Sequence, residues 1–387
     1  MKKKLILFSA ITLLLQLSLF AQQYNEQFID SLVQSVSQAQ VAKGTKFLLT
    51  GYVTSTAEFT KTKSSLSAVG LTPILLWKPN DRILVETEFE TGFTGNATNM
   101  ELGYADVSFY VNKYLSIRAG KFLSPFGIFQ DRLHPSWINK LPTFPLGTGE
   151  DQYGIGPISE VGINFKGGAQ LGESKINYSF YASNNAQLIT DPTNPIAEGT
   201  LSYGNMDVQS KKLTVGGRVG FLPFSNSTLE LGVSYRNGYV GDTSAAYQNV
   251  NAKLYAFDLS YDNQLDFLKG DVDIKAQYNK SDVSNAWYID PSNPTSGNLY
   301  TYNNSRSSYF LQAAYTPSMF PGKFLKKTQL IFRYAGFTPP TNAIGLTDMK
   351  QYTYGIDYWF NWRTALKFAY QSQKDNNVFF VQLAVGF

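Results

Sequence analysis

The last twelve residues, 376–387, read NNVFFVQLAVGF, and their pattern decides the fold. Counted back from the end, every second residue is large and apolar: Val385, Leu383, Val381 and Phe379. The residues interleaved over 382–386 are small or polar, and a period of two places the two sets on opposite faces of a β-strand. A strand this apolar would promote aggregation at the edge of a soluble sheet. We therefore expect it to pair on both edges inside a closed barrel, with its apolar face toward lipid.

The first 21 residues predict export. Lys2, Lys3 and Lys4 precede a largely apolar stretch, which ends at the small residue Ala21 before polar Gln22. This order is typical of a cleaved secretory signal peptide, and the stretch is short and polar for a spanning helix. A membrane anchor is the alternative interpretation. Because no later window is long and apolar enough for such a helix, a membrane location must rely on strands.

The composition excludes several functional classes. The 387 residues include no cysteine, so disulfides, thiol catalysis and cysteine-ligated metals are excluded. His134 is the only histidine, which leaves no histidine cluster for a metal or a hydrolase. The net charge of +4 falls to about +1 without the signal peptide, which is too balanced to indicate a nucleic-acid partner. We expect no metal, no cofactor and no enzymatic activity.

Three parts are predicted along the chain: a signal peptide (1–21), a periplasmic N-terminal segment (22–44) and a transmembrane barrel (45–387). Apolar residues spaced at three and four in the second part indicate a helical or plug-like segment, with a partly ordered tail as an equal alternative. From Thr45 onward, alternating segments of about ten residues follow one another, as in a transmembrane barrel. They predict about sixteen strands, near 45–59, 65–77, 82–93, 100–112, 115–126, 159–168, 174–186, 211–222, 228–240, 252–262, 271–282, 307–317, 328–338, 350–360, 364–374 and 377–387.

The joints between these segments alternate in length. If the chain ends in the periplasm, the periplasmic joints are mostly short and the outer ones are mostly long, as barrels of this class require. The long outer joints are 128–157, 184–211, 239–251, 283–306 and 338–350. The predicted fold is therefore all-β: a transmembrane antiparallel β-barrel of about sixteen strands, with short periplasmic turns and long extracellular loops.

Strand parity assigns charged side chains to the lumen. Charges of both signs point inward, and few fall on the lipid face, where a charge is costly. So many charges without partners would be too costly in a dry core, so we expect a water-filled lumen. The predicted basic residues of the pore are Arg118, Lys166, Arg218, Arg236, Lys275, Arg333 and Lys367, and the acidic ones are Glu86, Glu88, Glu90, Asp106, Glu230, Asp258, Asp273 and Asp357.

The third outer loop, 128–157, is the most distinctive segment because it mixes aromatic and charged residues with four prolines. A long loop without regular structure usually has a function. Its aromatic content favours a loop folded into the lumen, where it would narrow the pore; an outward surface loop is the alternative. The candidate constriction residues are Asp131, Arg132, His134, Trp137 and Lys140.

The segment that enters this loop, GKFLSPFG at 120–127, resembles a motif of the phosphate-selective porin O/P-like family of outer-membrane porins. The matching residues are Gly120, Pro125, Phe126 and Gly127. The signal peptide, the series of strands and the terminal Phe387 are also similar to that family. The resemblance implies a sixteen-stranded, trimeric diffusion porin in the outer membrane of a Gram-negative bacterium. It also implies that the barrel-assembly machinery recognises the last strand, with Phe387 as the assembly signal.

Phosphate selectivity does not follow from the resemblance, because inward acids are at least as numerous as inward bases. We expect a porin for small polar solutes or anions, embedded in outer-membrane lipid, with its ion selectivity open. A non-conducting barrel is the alternative, acting in adhesion, anchoring or complex formation through the outer loops 187–209 and 288–306. A barrel enzyme that depends on His134 is the least favoured alternative.

Overall fold

The computed structural model describes residues 46–387 except 95–96, 150–152, 192, 195, 205, 207–211, 243–246, 291, 294, 296 and 375. The predicted signal peptide (1–21) and N-terminal segment (22–44) lie outside the described residues, so both stay predictions.

The described residues form sixteen strands that close into one antiparallel barrel, as predicted. The last strand pairs with the first, with Val385 opposite Val53 and Phe379 opposite Phe59. In chain order the strands are β1 Phe47–Phe59, β2 Ser64–Asn80, β3 Ile83–Thr94, β4 Ala97–Tyr110, β5 Leu115–Leu123, β6 Ser159–Leu171, β7 Ser174–Ser183, β8 Thr214–Leu222, β9 Leu229–Tyr239, β10 Asn251–Leu265, β11 Gly270–Val283, β12 Ser305–Thr316, β13 Thr328–Thr338, β14 Met349–Asn361, β15 Thr364–Gln373 and β16 Asn376–Gly386.

Regular structure outside the barrel is short. Two-residue strand pairs join Gln187–Leu188 to Leu201–Ser202 and Tyr288–Ile289 to Leu299–Tyr300. Single helical turns occupy Phe129–Leu133, Asp266–Leu268 and Lys323–Lys326. Among the described residues, no helix has the length and apolar character needed to cross a membrane.

Alternation along each strand separates two faces. On β16, Phe379 and Leu383 are exposed on the outside, whereas Gln382 and Ala384 are buried on the inside. The same division on β8 exposes Val219 and buries Arg218. An apolar outer surface repeated around the whole barrel is stable in lipid and would aggregate in water.

The two ends of the barrel differ in the length of their joints. At one end, short turns are closed by asparagine side chains: the Asn80 Oδ1 atom accepts hydrogen bonds from the amides of Arg82 and Ile83, at 2.9 and 3.0 Å. The Asn112 Oδ1 atom does the same for Tyr114 and Leu115. Such side-chain bonds pre-form a tight turn. The other end carries the long loops 124–158, 184–213, 240–250, 284–304 and 339–348.

Candidate functional site: the barrel interior and loop L3

The third long loop, residues 124–158 and hereafter L3, folds into the barrel, which confirms the inward prediction. Gly127 begins the turn with a left-handed φ of +67°, and its amide donates a hydrogen bond to the Ser234 hydroxyl at 3.0 Å. The next two amides, of Ile128 and Phe129, donate to the Gln277 Oε1 atom at 2.8 and 3.1 Å. Since these acceptors lie on β9 and β11, the loop crosses the interior immediately after it leaves β5.

The family-like motif has a structural role in this turn. A Cβ at Gly120, where φ is +128°, would lie 2.3 Å from the Ala105 carbonyl oxygen of β4, so only glycine fits that close approach. Phe126 is buried and packs with Leu254 and Val250, and Pro125 is buried beside it. The motif thus fixes where the chain leaves the wall and turns inward.

The middle of L3 is bound to the wall by cationic side chains that donate to its backbone. The Lys367 ammonium donates to the carbonyl oxygens of Ser136, at 2.6 Å, and of Asn139. The Arg333 guanidinium donates to the Thr143 carbonyl at 2.8 Å and to its hydroxyl at 2.7 Å. Both cations were predicted to line the pore, and both are instead fully buried beneath L3.

Apolar packing supplements these bonds. Leu141 of L3 is buried in a cluster formed by the wall residues Ala314, Ile331, Ala369, Val378 and Phe380. Phe129 forms a second cluster with Leu146, Ile155, Phe310, Ala335 and Phe337. Both clusters use inward positions of β12 to β16, where apolar residues replace the polar ones expected in a lumen. These two clusters and the polar bonds hold L3 against one side of the barrel.

Charged side chains of L3 reach three separate strands. Arg132 pairs with Glu230 on β9 at 2.6 Å, and Lys140 pairs with Asp273 on β11 at 2.7 Å. On the opposite side, the His134 Nε2 atom lies 3.8 Å from the Glu88 Oε1 atom on β3. The remaining two constriction candidates, Asp131 and Trp137, are half-buried. L3 therefore spans the interior between β3 and the β9–β11 wall.

All predicted pore-lining charges occupy inward positions of the strand register, and many of them are paired. Arg218 contacts Asp258 at 2.6 Å and Glu230 at 2.9 Å. Lys275 contacts Asp273 at 2.8 Å, and Arg118 lies 4.0 Å from Asp106. The argument for water in the lumen assumed that such charges lack partners, and that assumption is wrong for these residues.

Asp357 is an exception among the buried charges. It lies opposite Lys367 in the β14–β15 register, but the Lys367 ammonium donates to L3 instead. Among the described residues, neither carboxylate oxygen of Asp357 has a hydrogen-bond partner.

Among the buried charged residues of the described barrel strands, parity reasoning missed two. Glu160 is buried on β6 and accepts a hydrogen bond from the Arg236 Nε atom at 2.8 Å. It shares the inward parity of Lys166 within a predicted strand, so the sequence contained the signal. Arg306 is buried on β12 and donates to the Asn304 side chain. It was missed because that strand was predicted to begin at 307, whereas it begins at Ser305.

Some inward side chains of β3 to β7 stay partly exposed. Glu86 and Glu90 on β3, Tyr104 on β4, Lys166 on β6 and Ser179 on β7 are all half-buried. The same strands also carry buried charged residues, namely Glu88, Asp106, Arg118 and Glu160, and the charged residues of β8 to β15 named above are buried as well. Glu86, Glu90 and Lys166 therefore border accessible space in the interior with charges of both signs.

Burial and a neighbouring charge act in opposite directions on His134, the histidine of L3. Burial lowers its pKa, but the negative charge of the neighbouring Glu88 carboxylate raises it more. The pKa of His134 therefore lies above its ordinary value.

No family model matches the sequence, and no curated protein matches it. Solved structures match the fold over most of the chain. OmpF of Salmonella typhi, solved in complex with daunomycin, is 14% identical with a TM-score of 0.57, covering 89% of this chain and 98% of its own. An anion-selective porin from Comamonas acidovorans is 15% identical with a TM-score of 0.52, covering 89% and 100%.

In-vitro folded OmpT, an outer membrane protein of Vibrio cholerae, is 9% identical with a TM-score of 0.51, covering 90% of this chain and 100% of its own. At these identities the likeness shows the fold. This chain has the barrel fold of outer-membrane porins, and its apolar outer surface is that of a protein in the outer membrane.

Proposed function

We propose that this protein is an outer-membrane porin of a Gram-negative bacterium, through which small polar or ionic solutes diffuse passively. One observation carries the proposal: L3 lies inside the barrel, yet the inward charged side chains of Glu86, Glu90 and Lys166 stay partly exposed. An inward loop that narrows a barrel without filling it is suited to a diffusion pore. The porin fold of the solved structures supports the same function, and the proposal is of transport without catalysis.

The selectivity that we propose is weak. Glu86 and Glu90 border the accessible space from β3, whereas Lys166 borders it from β6. Two of the strongest candidates for anion binding, Arg218 and Arg236, are paired with Asp258 and Glu160. A phosphate-selective pore needs basic residues that remain unneutralised, because a paired guanidinium attracts anions only weakly. We therefore propose a general pore in preference to a phosphate-selective one.

The proposed partners follow from the fold and from the resemblance in the sequence. They are outer-membrane lipid around the apolar belt, small polar solutes in the lumen, the barrel-assembly machinery, and two further copies of the chain in a homotrimer. Phe387 is the proposed assembly signal. Its backbone exchanges hydrogen bonds with Gly51 of β1, at 2.9 and 3.3 Å, where the first and last strands meet.

Planar-bilayer recording of the refolded, tag-free chain tests the pore. We expect discrete current steps that scale linearly with voltage, and a reversal potential near zero in a KCl gradient. The heat-denatured chain is the negative control. If a preparation has barrel-type circular dichroism but gives no steps, the porin proposal is wrong.

One observation favours the alternative of a binding barrel. The loops 184–213 and 284–304 pack on each other: the Tyr300 hydroxyl donates to the Glu198 carboxylate at 2.8 Å, and the Asn304 amide donates to the Gly199 carbonyl at 2.7 Å. Trp287 is exposed beside them. Outer loops that bond to each other and carry an exposed aromatic residue suit recognition. A barrel that does not conduct, together with specific retention on another cell surface, would favour this function.

A further inference from the structure

The single histidine of the chain meets two carboxylates inside the barrel. The side-chain ligand atoms of Glu88, Glu90 and His134 all lie within 4.8 Å of one another. Glu88 and His134 are more than nine-tenths buried, and Glu90 is half-buried. The two glutamates are two residues apart on β3 and therefore share its inward face, and L3 supplies the histidine from across the interior.

The two carboxylates converge on one point. A Cβ built on Gly103 of β4 would lie 2.8 Å from the Glu88 Oε1 atom and 3.1 Å from the Glu90 Oε1 atom. Both oxygens thus approach the space left by the missing side chain of a glycine. Two carboxylates this close repel each other unless a positive charge lies between or beside them. Among the described residues, the ion pair of Glu88 is with His134 alone.

The histidine is oriented by its other nitrogen. The His134 Nδ1 atom lies 2.7 Å from the Gln130 carbonyl oxygen, which can only accept, so Nδ1 carries a proton and donates it. In the neutral ring the Nε2 atom then presents a lone pair to the carboxylates. Metal-binding histidines commonly donate the N–H of the non-ligating ring nitrogen to a backbone carbonyl, which fixes the tautomer and the ring orientation as seen here.

A hydrogen bond does not account for this contact. The His134 Nε2 and Glu88 Oε1 atoms are 3.8 Å apart, and both are buried without a hydrogen-bond partner among the described residues. Two ligand atoms of a tetrahedral ion, each at about 2.1 Å from it, are separated by about 3.4 Å. The observed separation is thus too long for a hydrogen bond and close to that of two ligands around one ion.

We propose that Glu88, Glu90 and His134 bind a divalent first-row transition-metal ion, with Zn²⁺ the best fit. Imidazole nitrogen favours zinc and its neighbours over magnesium or calcium, and one nitrogen with two carboxylate oxygens leaves the fourth position for water. The ion joins L3 to β3 and so closes the loop against both sides of the barrel. The sequence predicted no metal because a single histidine forms no cluster, but the fold brings the carboxylates to it.

Isothermal titration of the refolded, tag-free chain with Zn²⁺ tests the site. The chain has no cysteine and no other histidine, so binding that depends on imidazole reports on this cluster alone. We expect one ion per chain, and a loss of affinity of more than about tenfold in both His134→Ala and Glu88→Gln. Glu86→Gln is the matched control: it lies on the same face of the same strand outside the cluster, and we expect its affinity to stay within twofold of the parent.

Nitrogen NMR of the protein with labelled histidine distinguishes a bound metal ion from the alternative explanation, a proton shared between His134 and Glu88. Zinc should shift the Nε2 resonance while Nδ1 keeps its proton; an imidazolium shows two protonated nitrogens and no response to zinc. This measurement needs no substitution, so it decides the matter even if a variant fails to fold. Unchanged spectra, or affinity unaffected by the two ligand substitutions, would overturn the proposal. Zinc binding does not require conduction, so a non-conducting barrel would leave this inference standing.

Discussion

Replacing Leu141 by alanine tests how strongly L3 is held against the wall. The side chain is 1% exposed and packs among inward residues of β12, β13, β15 and β16. Truncating a buried leucine costs about 2–5 kcal/mol through lost transfer energy and the cavity left behind. Strand pairing does not involve this side chain, so the cost should fall on loop docking. The undocked population should then rise by about 30-fold to about 4,000-fold, at 1.4 kcal/mol per factor of ten.

Hydrogen exchange followed by mass spectrometry measures that population. Within L3, the Asn139 amide donates to the Pro135 carbonyl and the Ile155 amide donates to the Gly147 carbonyl, so both report on the folded loop. We expect Leu141→Ala to accelerate exchange across L3 while the strands stay protected. Leu222→Ala is the matched control, since Leu222 is equally buried on β8 outside the Leu141 cluster. Unchanged loop exchange, or equal loss of protection in L3 and the strands, would refute the reasoning.

Three further predictions address the interior. Glu160→Ala leaves the buried Arg236 guanidinium without its carboxylate, so urea unfolding should show a loss of about 3–5 kcal/mol, and a loss below 1 kcal/mol would contradict a buried ion pair. Deleting 137–148 removes the part of L3 that docks on the wall, so single-channel conductance should increase; an unchanged value would mean that L3 does not limit the pore. Lys166→Ala removes a partly exposed inward cation of β6, so the reversal potential should move toward cation selectivity, and a shift toward anions would contradict the assigned position.

The fold was accessible from the sequence because its information is local. Alternation along a strand assigns each residue either to the lipid face or to the interior. The existence of β16 and the inward placement of Arg218 and Lys367 therefore follow from parity alone. Turn residues mark where strands end, and Asn80 and Asn112 close the short joints through their own side chains. Strand boundaries were less accurate, and one such error concealed Arg306.

The partners of the interior charges could not be predicted, because they depend on contacts between residues distant in sequence. Parity shows that Lys367 points inward, but its bonds to the carbonyls of Ser136 and Asn139 depend on the path of L3. Likewise, Glu88 and His134 are 46 positions apart and meet only because the loop returns to β3. A charged inward residue therefore lines water or anchors a loop, and its sequence position does not distinguish the two roles.

Inward charges that anchor L3 and inward charges that line water should control different properties of the pore. The inward cations Arg333 and Lys367 donate hydrogen bonds to carbonyl oxygens of L3 and are fully buried, so they set the position of the loop and do not border the accessible space. The partly exposed charged residues that face that space, such as Glu86 and Lys166, lie on β3 and β6. Selectivity should therefore respond to substitutions on β3 to β7, and pore size to substitutions on β11 to β16. Conductance and reversal potential measured on the same variants can separate these two effects. A change in loop docking should alter the conductance without a matching change in the reversal potential.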